Sequence, residues 1–166
     1  MHSIRNEQSS DQQAIWAVHA ACFPTPAEAR LVDLLRSAHK LTVSLVATVA
    51  DQVVGHVAFS PVTTADGCTG VGLAPVAVLE SYRRQGIAAQ LIEAGLRACR
   101  DAGCGWAVVL GNPGYYGRFG FRAAAESGLV DEYGGGPAFQ ALELHPGALP
   151  RGAGLVRYAA EFACVA

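Results

Sequence analysis

The sequence predicts a mixed α/β fold, and three observations support that prediction. Two segments near the N-terminus have helical periodicity, the middle of the chain alternates apolar and polar residues at strand period, and a strand, a helix and a strand then follow one another. Apolar residues make up 51% of the 166 residues and charged residues 16%, so the chain can bury a large core without disulfides. We expect a single domain over residues 1–166.

Two helices are predicted before residue 40. The first begins near Asp11 and has apolar residues at helical spacing. The second has Thr25 as its N-cap, Pro26 at the first helical position and Glu28 three residues after the cap, a pattern that predicts a capping box. The residues expected to face the core are Ile15, Val18, Cys22, Leu31, Val32, Leu34 and Leu35.

Strand-like segments follow in the middle of the chain. Residues 43–50 and 53–60 are rich in β-formers and are separated by Asp51-Gln52, which predicts a tight antiparallel hairpin. A loop rich in Thr, Asp and Gly at residues 63–70 then leads to a third strand at residues 71–79.

A helix and three more strands are predicted after the third strand. The helix covers residues 85–102, with Gly103 as a C-terminal cap, and the strand at residues 106–110 follows it. This strand-helix-strand unit predicts that the third strand and residues 106–110 run parallel. Two late strands at residues 138–144 and 154–162 complete the domain.

The start of the long helix carries charges that oppose its dipole. Arg83 and Arg84 lie in or just before the first turn, where a cation costs a few tenths to about 1 kcal/mol. A bound anion would reverse that cost, because the first backbone N–H groups of a helix are free to donate to it. Gly86 leaves the approach open and Ala88 keeps the next position small. The pattern indicates an anion site, although two solvated arginines at a loop-to-helix junction remain an alternative.

The order of these residues resembles a known signature. Arg83, Gly86 and Ala88 form R-x-x-G-x-A after a strand and at the opening of a helix, which is similar to the pyrophosphate signature (Q/R)-x-x-G-x-(G/A) of GNAT acetyltransferases. Tyr116 with Gly120-Phe121 resembles the later Y-x-x-x-G-F element of the family. Blocks such as V-V-G-H-V-A-F-S-P-V and G-N-P-G-Y-Y-G-R-F-G-F extend the resemblance to one bacterial branch of predicted GNAT N-acetyltransferases.

The resemblance implies a fold, a cosubstrate and a set of binding residues. The GNAT acyl-CoA N-acyltransferase fold has a central mixed, mostly antiparallel sheet flanked by helices, and its fourth and fifth strands splay to admit pantetheine. Acetyl-CoA is the implied cosubstrate, and no metal is expected. The implied coenzyme-binding residues are Val76, Ala77, Val78, Arg83, Arg84, Gln85, Gly86, Ile87, Ala88, Asn112 and Tyr115.

Tyr116 is the candidate general acid that protonates the departing thiolate. A phenol with a pKa near 10 stays protonated at neutral pH and can donate to a thiolate whose conjugate acid has a pKa near 8.5. The alternative is that Tyr116 only packs against the edge of the sheet. Because Tyr115 is adjacent to it, either tyrosine is a candidate for the general acid. The sequence leaves three candidates for the general base: Glu28, His56 and water. A capping box would explain Glu28 without a catalytic role, and hydrogen bonding within a strand would explain His56 in the same way.

The acceptor implied by the resemblance is a primary amine, either a small molecule or a peptide. The alternative is a non-catalytic acyl-CoA-binding sensor or interaction module, and a dinucleotide-binding domain lacks its G-x-G-x-x-G signature. A net charge of −2 argues against nucleic acid or a membrane as partner. Five cysteines without a C-x-x-C pair and a polar N-terminus predict a reduced cytoplasmic protein, monomeric or homodimeric.

Overall fold

The computed structural model describes residues 1–165, which form one mixed sheet with helices on both faces. The helices are α1 (Gln12–Cys22), α2 (Ala27–Ser37), α3 (Ile87–Asp101) and the short α4 (Pro113–Tyr116). The strands are β1 (Ser3–Asn6), β2 (Val43–Val49), β3 (Gln52–Thr64), β4 (Thr69–Val78), β5 (Trp106–Leu110), β6 (Arg122–Ala123), β7 (Leu129–Asp131), β8 (Phe139–Glu143) and β9 (Gly154–Arg157).

The sheet is mostly antiparallel, as expected. Its order is β1-β2-β3-β4-β5-β8-β6, and β9 pairs with both β3 and β7. Within the described residues, the parallel pairs are β4 with β5 and β7 with β9. The predicted parallel strand-helix-strand unit is therefore confirmed. Over the same residues, no helix combines the length and apolar character needed to cross a bilayer.

Helices cover the two faces of the sheet because buried side chains alternate along the central strands. On one face α3 packs over β2, β3 and β4, and Gly95 allows a close approach, since a Cβ there would lie 2.6 Å from the ring of Phe59. On the other face α1 and α2 cover Val46, Val53 and Ala77. Both faces of the central strands are thus removed from water, which fits their apolar composition.

The hairpin turn differs from its prediction by one residue. Ala50 and Asp51, not Asp51-Gln52, form the turn, and their φ angles of 50° and 64° are those that the primed hairpin turns require. The twist of two long strands stabilises this turn in spite of an alanine at positive φ. The predicted loop at 63–70 is also shorter, because β3 continues to Thr64 and β4 begins at Thr69.

Other predicted boundaries also need correction. α2 begins at Ala27 rather than at Pro26, and Thr25 accepts a 3.3 Å hydrogen bond from the Ala27 N–H, with no capping box to Glu28. The last strand stops at Arg157, and residues 160–164 form a 3-10 turn instead of strand. Strand β1 was not predicted, because four residues with a single apolar side chain carry no strand signal until β2 pairs with them.

Candidate active site

Strands β4 and β5 begin as neighbours and then separate. They pair only at Val71 with Ala107 and at Gly72 with Val108. Both strands continue well past these pairs, β4 to Val78 and β5 to Leu110. A gap therefore opens between their carboxyl ends, which is where ligands enter open sheets with parallel strands.

A β-bulge in β4 lies beside this gap. β4 carries two residues, Ala74 and Pro75, where β3 has only Ala58. A bulge bends a strand and turns its backbone groups away from the regular ladder, and such bulges are common next to active sites. This bulge explains why β4 leaves β5 after two residue pairs.

Backbone groups of β4 face the gap beyond the bulge. The Leu79 N–H donates to the Val54 carbonyl at 2.9 Å, and Ala77 is paired with His56 two residues earlier. Because hydrogen-bonded pairs alternate in an antiparallel ladder, Ala77 bonds to β3 while Val76 and Val78 direct their backbone groups toward the gap. Of the three β4 residues predicted to bind the coenzyme, Val76 and Val78 direct their backbone groups toward the gap, whereas the backbone of Ala77 is directed toward β3.

Arg83 ties the loop before α3 to the end of β4. Its Nε donates to the Val78 carbonyl at 2.9 Å, and the Cys22 thiol donates to the same oxygen at 3.3 Å. The carbonyl of Val78 is therefore satisfied within the protein. The N–H of Val78 and both backbone groups of Val76 remain directed toward the gap.

The first turn of α3 forms the floor of a cavity of about 360 Å³, here called the helix-start cavity. Arg84 and Gly86 have φ angles of 63° and 79°, in the left-handed region, so the chain turns sharply just before the helix begins. The N–H groups of Ile87, Ala88 and Ala89 have no acceptor within the helix, because they belong to its first turn. The cavity is lined by Val78, Tyr82, Arg83, Arg84, Gly86, Ile87, Ala88, Ala89, Tyr115 and Arg118.

A second cavity of about 480 Å³ lies at the β4–β5 gap and is called the strand-gap cavity. Its walls come from α2, the β4 bulge, the end of β5, α4 and the C-terminal 3-10 turn. Its lining residues include Phe23, Glu28, Leu31, Leu73, Ala74, Pro75, Val76, Leu110, Tyr116, Tyr133, Phe162 and Val165. Val76 lines this cavity while Val78 lines the helix-start cavity, so Ala77 marks the boundary between them.

Two successive tyrosines lie on different sides of that boundary. Tyr115 lines the helix-start cavity, where the Arg118 guanidinium stacks 4.2 Å from its ring centre, and Tyr116 lines the strand-gap cavity. The two rings meet edge to face with centres 5.1 Å apart. Burial, and to a smaller degree the neighbouring Tyr115, raises the pKa of Tyr116, which keeps its phenol protonated at neutral pH.

A glycine makes room for Tyr116. A Cβ at Gly111 would lie 2.8 Å from Cδ2 of the Tyr116 ring and would clash with the neighbouring ring carbon. Gly111 follows β5 directly, so the ring lies against the backbone at the end of that strand. The side chain is held by this contact and by the Phe121 ring, whose centre is 5.9 Å away.

Some predicted residues lie outside the two cavities. Asn112 caps α4, where its side chain accepts a 2.8 Å hydrogen bond from the Gly114 N–H, and Gln85 is exposed in the loop before α3. Sequence reasoning missed Tyr82 and Arg118 in the helix-start cavity. The available signal for Arg118 was its spacing of three residues from Tyr115, which would place the two side chains on one face of a helical turn.

His56 has a structural environment. It is fully buried, and its ring nitrogens lie 2.8 Å from His19 Nε2 and 2.8 Å from Ser44 Oγ. Ser44 donates to Glu7 at 2.6 Å, and Glu7 is paired with Arg36. Burial, followed by the nearby His19, lowers the pKa of His56, so both histidines are neutral at neutral pH. The prediction of a satisfied strand histidine is confirmed, although it is completely rather than partly buried.

Comparisons with known proteins agree with this geometry. The sequence profile of the Acetyltransferase (GNAT) family matches residues 5–121. The N-acetyltransferase YhbS of Escherichia coli strain K12 is 43% identical over 162 residues, which cover 96% of this chain and 97% of YhbS.

Two crystal structures match nearly the whole chain. One is YhbS from Escherichia coli in complex with CoA, with a TM-score of 0.93, 42% identity, and coverage of 98% of this chain and 92% of that one. The other is a GNAT family acetyltransferase from Brucella melitensis in complex with acetyl-CoA, with a TM-score of 0.82, 39% identity and 98% coverage of both chains. With a family profile over residues 5–121 and relatives that match nearly its whole length, this chain belongs to the GNAT family of acetyltransferases.

Proposed function

We propose that this protein transfers the acetyl group of acetyl-CoA to a primary amine by direct attack within a ternary complex. The observation that carries the proposal is the pair of cavities on the two sides of Ala77. One offers arginines and free helix N–H groups, and the other offers a protonated phenol at the strand gap. A reaction between a phosphorylated donor and an amine needs both environments within one groove.

The helix-start cavity fits the phosphates of a coenzyme. Three N–H groups in the first turn of α3, together with the Arg84 guanidinium, supply hydrogen bonds and positive charge to phosphate oxygens. Gly86 has no side chain to obstruct that approach, and its φ of 79° disfavours any other residue. The crystal structures of the YhbS and Brucella relatives contain CoA and acetyl-CoA, which supports a coenzyme as the ligand of this protein.

The strand gap fits the reacting end of the cosubstrate. Acetyl-CoA supplies a thioester whose carbonyl accepts hydrogen bonds from the N–H groups of Val76 or Val78, and these bonds strengthen as negative charge develops on the oxygen. The amine nitrogen forms the new C–N bond as the C–S bond breaks. Tyr116 donates its phenolic proton to the departing sulfur, and the proton released by the nitrogen restores the phenol through solvent.

Calorimetry with acetyl-CoA tests the coenzyme assignment. We expect micromolar binding to the wild type and its loss in the double variant Arg84→Glu, Gly86→Asp, because two carboxylates would meet the phosphates. Arg151→Glu is the control, because it makes the same arginine-to-glutamate change at an exposed position outside both cavities. Failure of the folded wild type to bind would overturn the proposal.

A non-catalytic acyl-CoA sensor would share the helix-start cavity but would have no use for Tyr116. Release of free thiol on mixing with acetyl-CoA and an amine separates the two functions. A sensor would show no turnover with any amine, whereas the proposed enzyme shows turnover that depends on the Tyr116 hydroxyl.

A further inference from the structure

The strand-gap cavity has an apolar lining with an apolar mouth. Its walls include Phe23, Leu31 and Phe162. At its edge, Leu110 is 36% exposed and Tyr133 is 47% exposed, which makes them two of the few large apolar side chains on the described surface. Large apolar residues that stay exposed around a concave site indicate an apolar ligand.

Glu28 is the one charged side chain among the residues that line this cavity. Its Oε1 is buried and accepts no hydrogen bond from any group in residues 1–165. A buried carboxylate oxygen normally has a donor, and an oxygen without one indicates that a ligand supplies it. The capping role that the sequence suggested does not account for it, because no capping box forms.

The position of Glu28 in α2 keeps it directed into the cavity. It is the second residue of the helix, where the dipole favours an anion, and Leu31 lies one turn further along the same face. The apolar residues Ala29, Val32 and Leu35 anchor the helix in the core. The carboxylate is therefore presented by a rigid element rather than by a loop.

We infer that the acceptor is a primary amine attached to an apolar group, with its ammonium group bound by Glu28 and its apolar part against Phe23, Leu31 and Phe162. The inference rests on the proposed acetyl transfer and specifies its acceptor. A polyamine or a multiply charged amino sugar would place further cations against apolar walls, where a single carboxylate leaves them unpaired.

Glu28 also has a proton to accept. An aliphatic amine with a pKa near that of lysine, about 10.4, enters as an ammonium ion at neutral pH and cannot attack until it loses one proton. Glu28 accepts that proton and passes it to solvent, and the nitrogen then attacks the thioester with its free electron pair. The second proton, which the nitrogen loses as the amide forms, is the one that restores the Tyr116 phenol. The other titratable groups that line the cavity are the phenols of Tyr116 and Tyr133, whose pKa values burial raises, so they stay neutral between pH 6 and 9.

The test compares four amines as acceptors, with release of CoA thiol as the readout. Phenethylamine and hexylamine represent the inferred class, and ethanolamine and spermidine represent polar and multiply charged amines. We expect kcat/KM for the two apolar amines to exceed that for the two others by at least tenfold. Equal or better use of spermidine or ethanolamine would overturn the inference while leaving the proposed acetyl transfer intact.

The Glu28→Gln variant tests the role of the carboxylate. Glutamine keeps the shape of the side chain, so we expect unchanged acetyl-CoA binding and at least a tenfold lower kcat/KM for phenethylamine at pH 7. The loss should shrink as the pH rises toward the pKa of the amine, because the neutral amine needs no carboxylate. A merely structural role would give a loss that does not depend on pH.

A binding measurement separates recognition from turnover. Phenethylamine titrated into the protein saturated with CoA, which carries no acetyl group, should bind wild type at least tenfold more tightly than Glu28→Gln. Glu126→Gln, an exposed carboxylate variant outside the cavity, is the matched control and should resemble wild type. Identical affinity in all three proteins would overturn the role of Glu28, and wild type that fails to bind acetyl-CoA would overturn the proposed function together with this inference.

Discussion

The helix-start cavity and the strand-gap cavity lie on the two sides of Ala77, but the chain builds them differently. Most of the helix-start cavity comes from one segment, residues 82–89, to which Val78, Tyr115 and Arg118 are added. The strand-gap cavity collects residues from α2, β4, β5, α4 and the C-terminal turn, separated by more than a hundred positions in the chain. A site built from one short segment suits a ligand that is the same throughout a family. A site assembled from several segments can acquire a different ligand when the residues of any one segment change.

The charges of the two cavities also differ. The helix-start cavity has Arg83, Arg84 and Arg118 among its lining residues, and the strand-gap cavity has Glu28. Opposite charges on the two sides of one groove suit an anionic donor and a cationic acceptor. Variants on the two sides of Ala77 should therefore affect the donor and the acceptor separately.

Tyr116→Phe should give the largest effect. Removing the phenolic hydroxyl removes the proton donor for the departing sulfur, so we expect kcat to fall by about 10²-fold or more. The affinity for acetyl-CoA should be unchanged, because Tyr116 lies on the strand-gap side of the boundary. Rapid-mix thiol release and calorimetry measure the two quantities.

Tyr115→Phe is the control for this prediction, since Tyr115 faces the helix-start cavity. It should retain most of kcat. A large loss in Tyr115→Phe with normal turnover in Tyr116→Phe would reverse the assignment of the two tyrosines.

Acid should destabilise the protein through its buried histidines, which lie behind the strand-gap cavity, where His19 stacks 6.0 Å from Phe23. Burial lowers the pKa of His19 from 6.5 to about 4, and the pKa of His56 moves in the same direction. The unfolded chain therefore binds more protons than the folded chain below pH 6.5. Above pH 6.5 the two histidines do not reduce the free energy of unfolding. As the pH drops to about 4, this free energy should fall by about 3 kcal/mol or more.

Urea denaturation at several pH values measures this dependence. The exposed His39 provides the control, because His39→Gln should leave the slope between pH 6.5 and 4 unchanged. A free energy of unfolding that stays constant over this range would contradict neutral buried histidines.

Phe162→Ala should weaken binding of the amine acceptor and leave binding of acetyl-CoA unchanged. The ring forms part of the C-terminal wall of the cavity. A 2.8 Å ion pair between Lys40 and Glu161 and a contact between the tilted rings of Tyr158 and Phe162, with centres 5.0 Å apart, hold this wall against the rest of the protein. We expect KM for an apolar amine to rise about tenfold, in line with a lost apolar contact of roughly 1–3 kcal/mol, with acetyl-CoA affinity unchanged. An equal loss of coenzyme affinity would show that the two cavities are not independent.

Arg118→Ala should give the smallest effect, and this effect should be on the binding of acetyl-CoA rather than of the amine. Arg118 is exposed and stacks on Tyr115 at the rim of the helix-start cavity, so its loss should weaken acetyl-CoA binding only a few-fold. The KM of the amine should not change. Calorimetry with acetyl-CoA and initial rates over a range of amine concentrations distinguish these results.

The helix-start cavity could be predicted from the sequence because its parts are close together in the chain. Two arginines, a glycine and an alanine at fixed spacing, between a strand and a helix, specify both the backbone turn and the charge. The same holds for the parallel β4–β5 pair and for the C-terminal cap of α3 at Gly103, whose φ is 93°. Each of these depends on short-range periodicity and on backbone preferences that single residues carry.

The strand-gap cavity could not be predicted from the sequence, because its walls come from distant segments. From the sequence, a capping role was a sufficient explanation for Glu28. Its Oε1 is buried without a hydrogen-bond donor among residues 1–165 because α2 lies beside β4 and the C-terminal turn, an arrangement that the local pattern does not contain. Phe162 was expected in a strand, but the chain leaves the sheet after Arg157 and closes the cavity instead. Contacts between distant segments depend on how complete elements pack, and the pattern of any one segment does not contain that information.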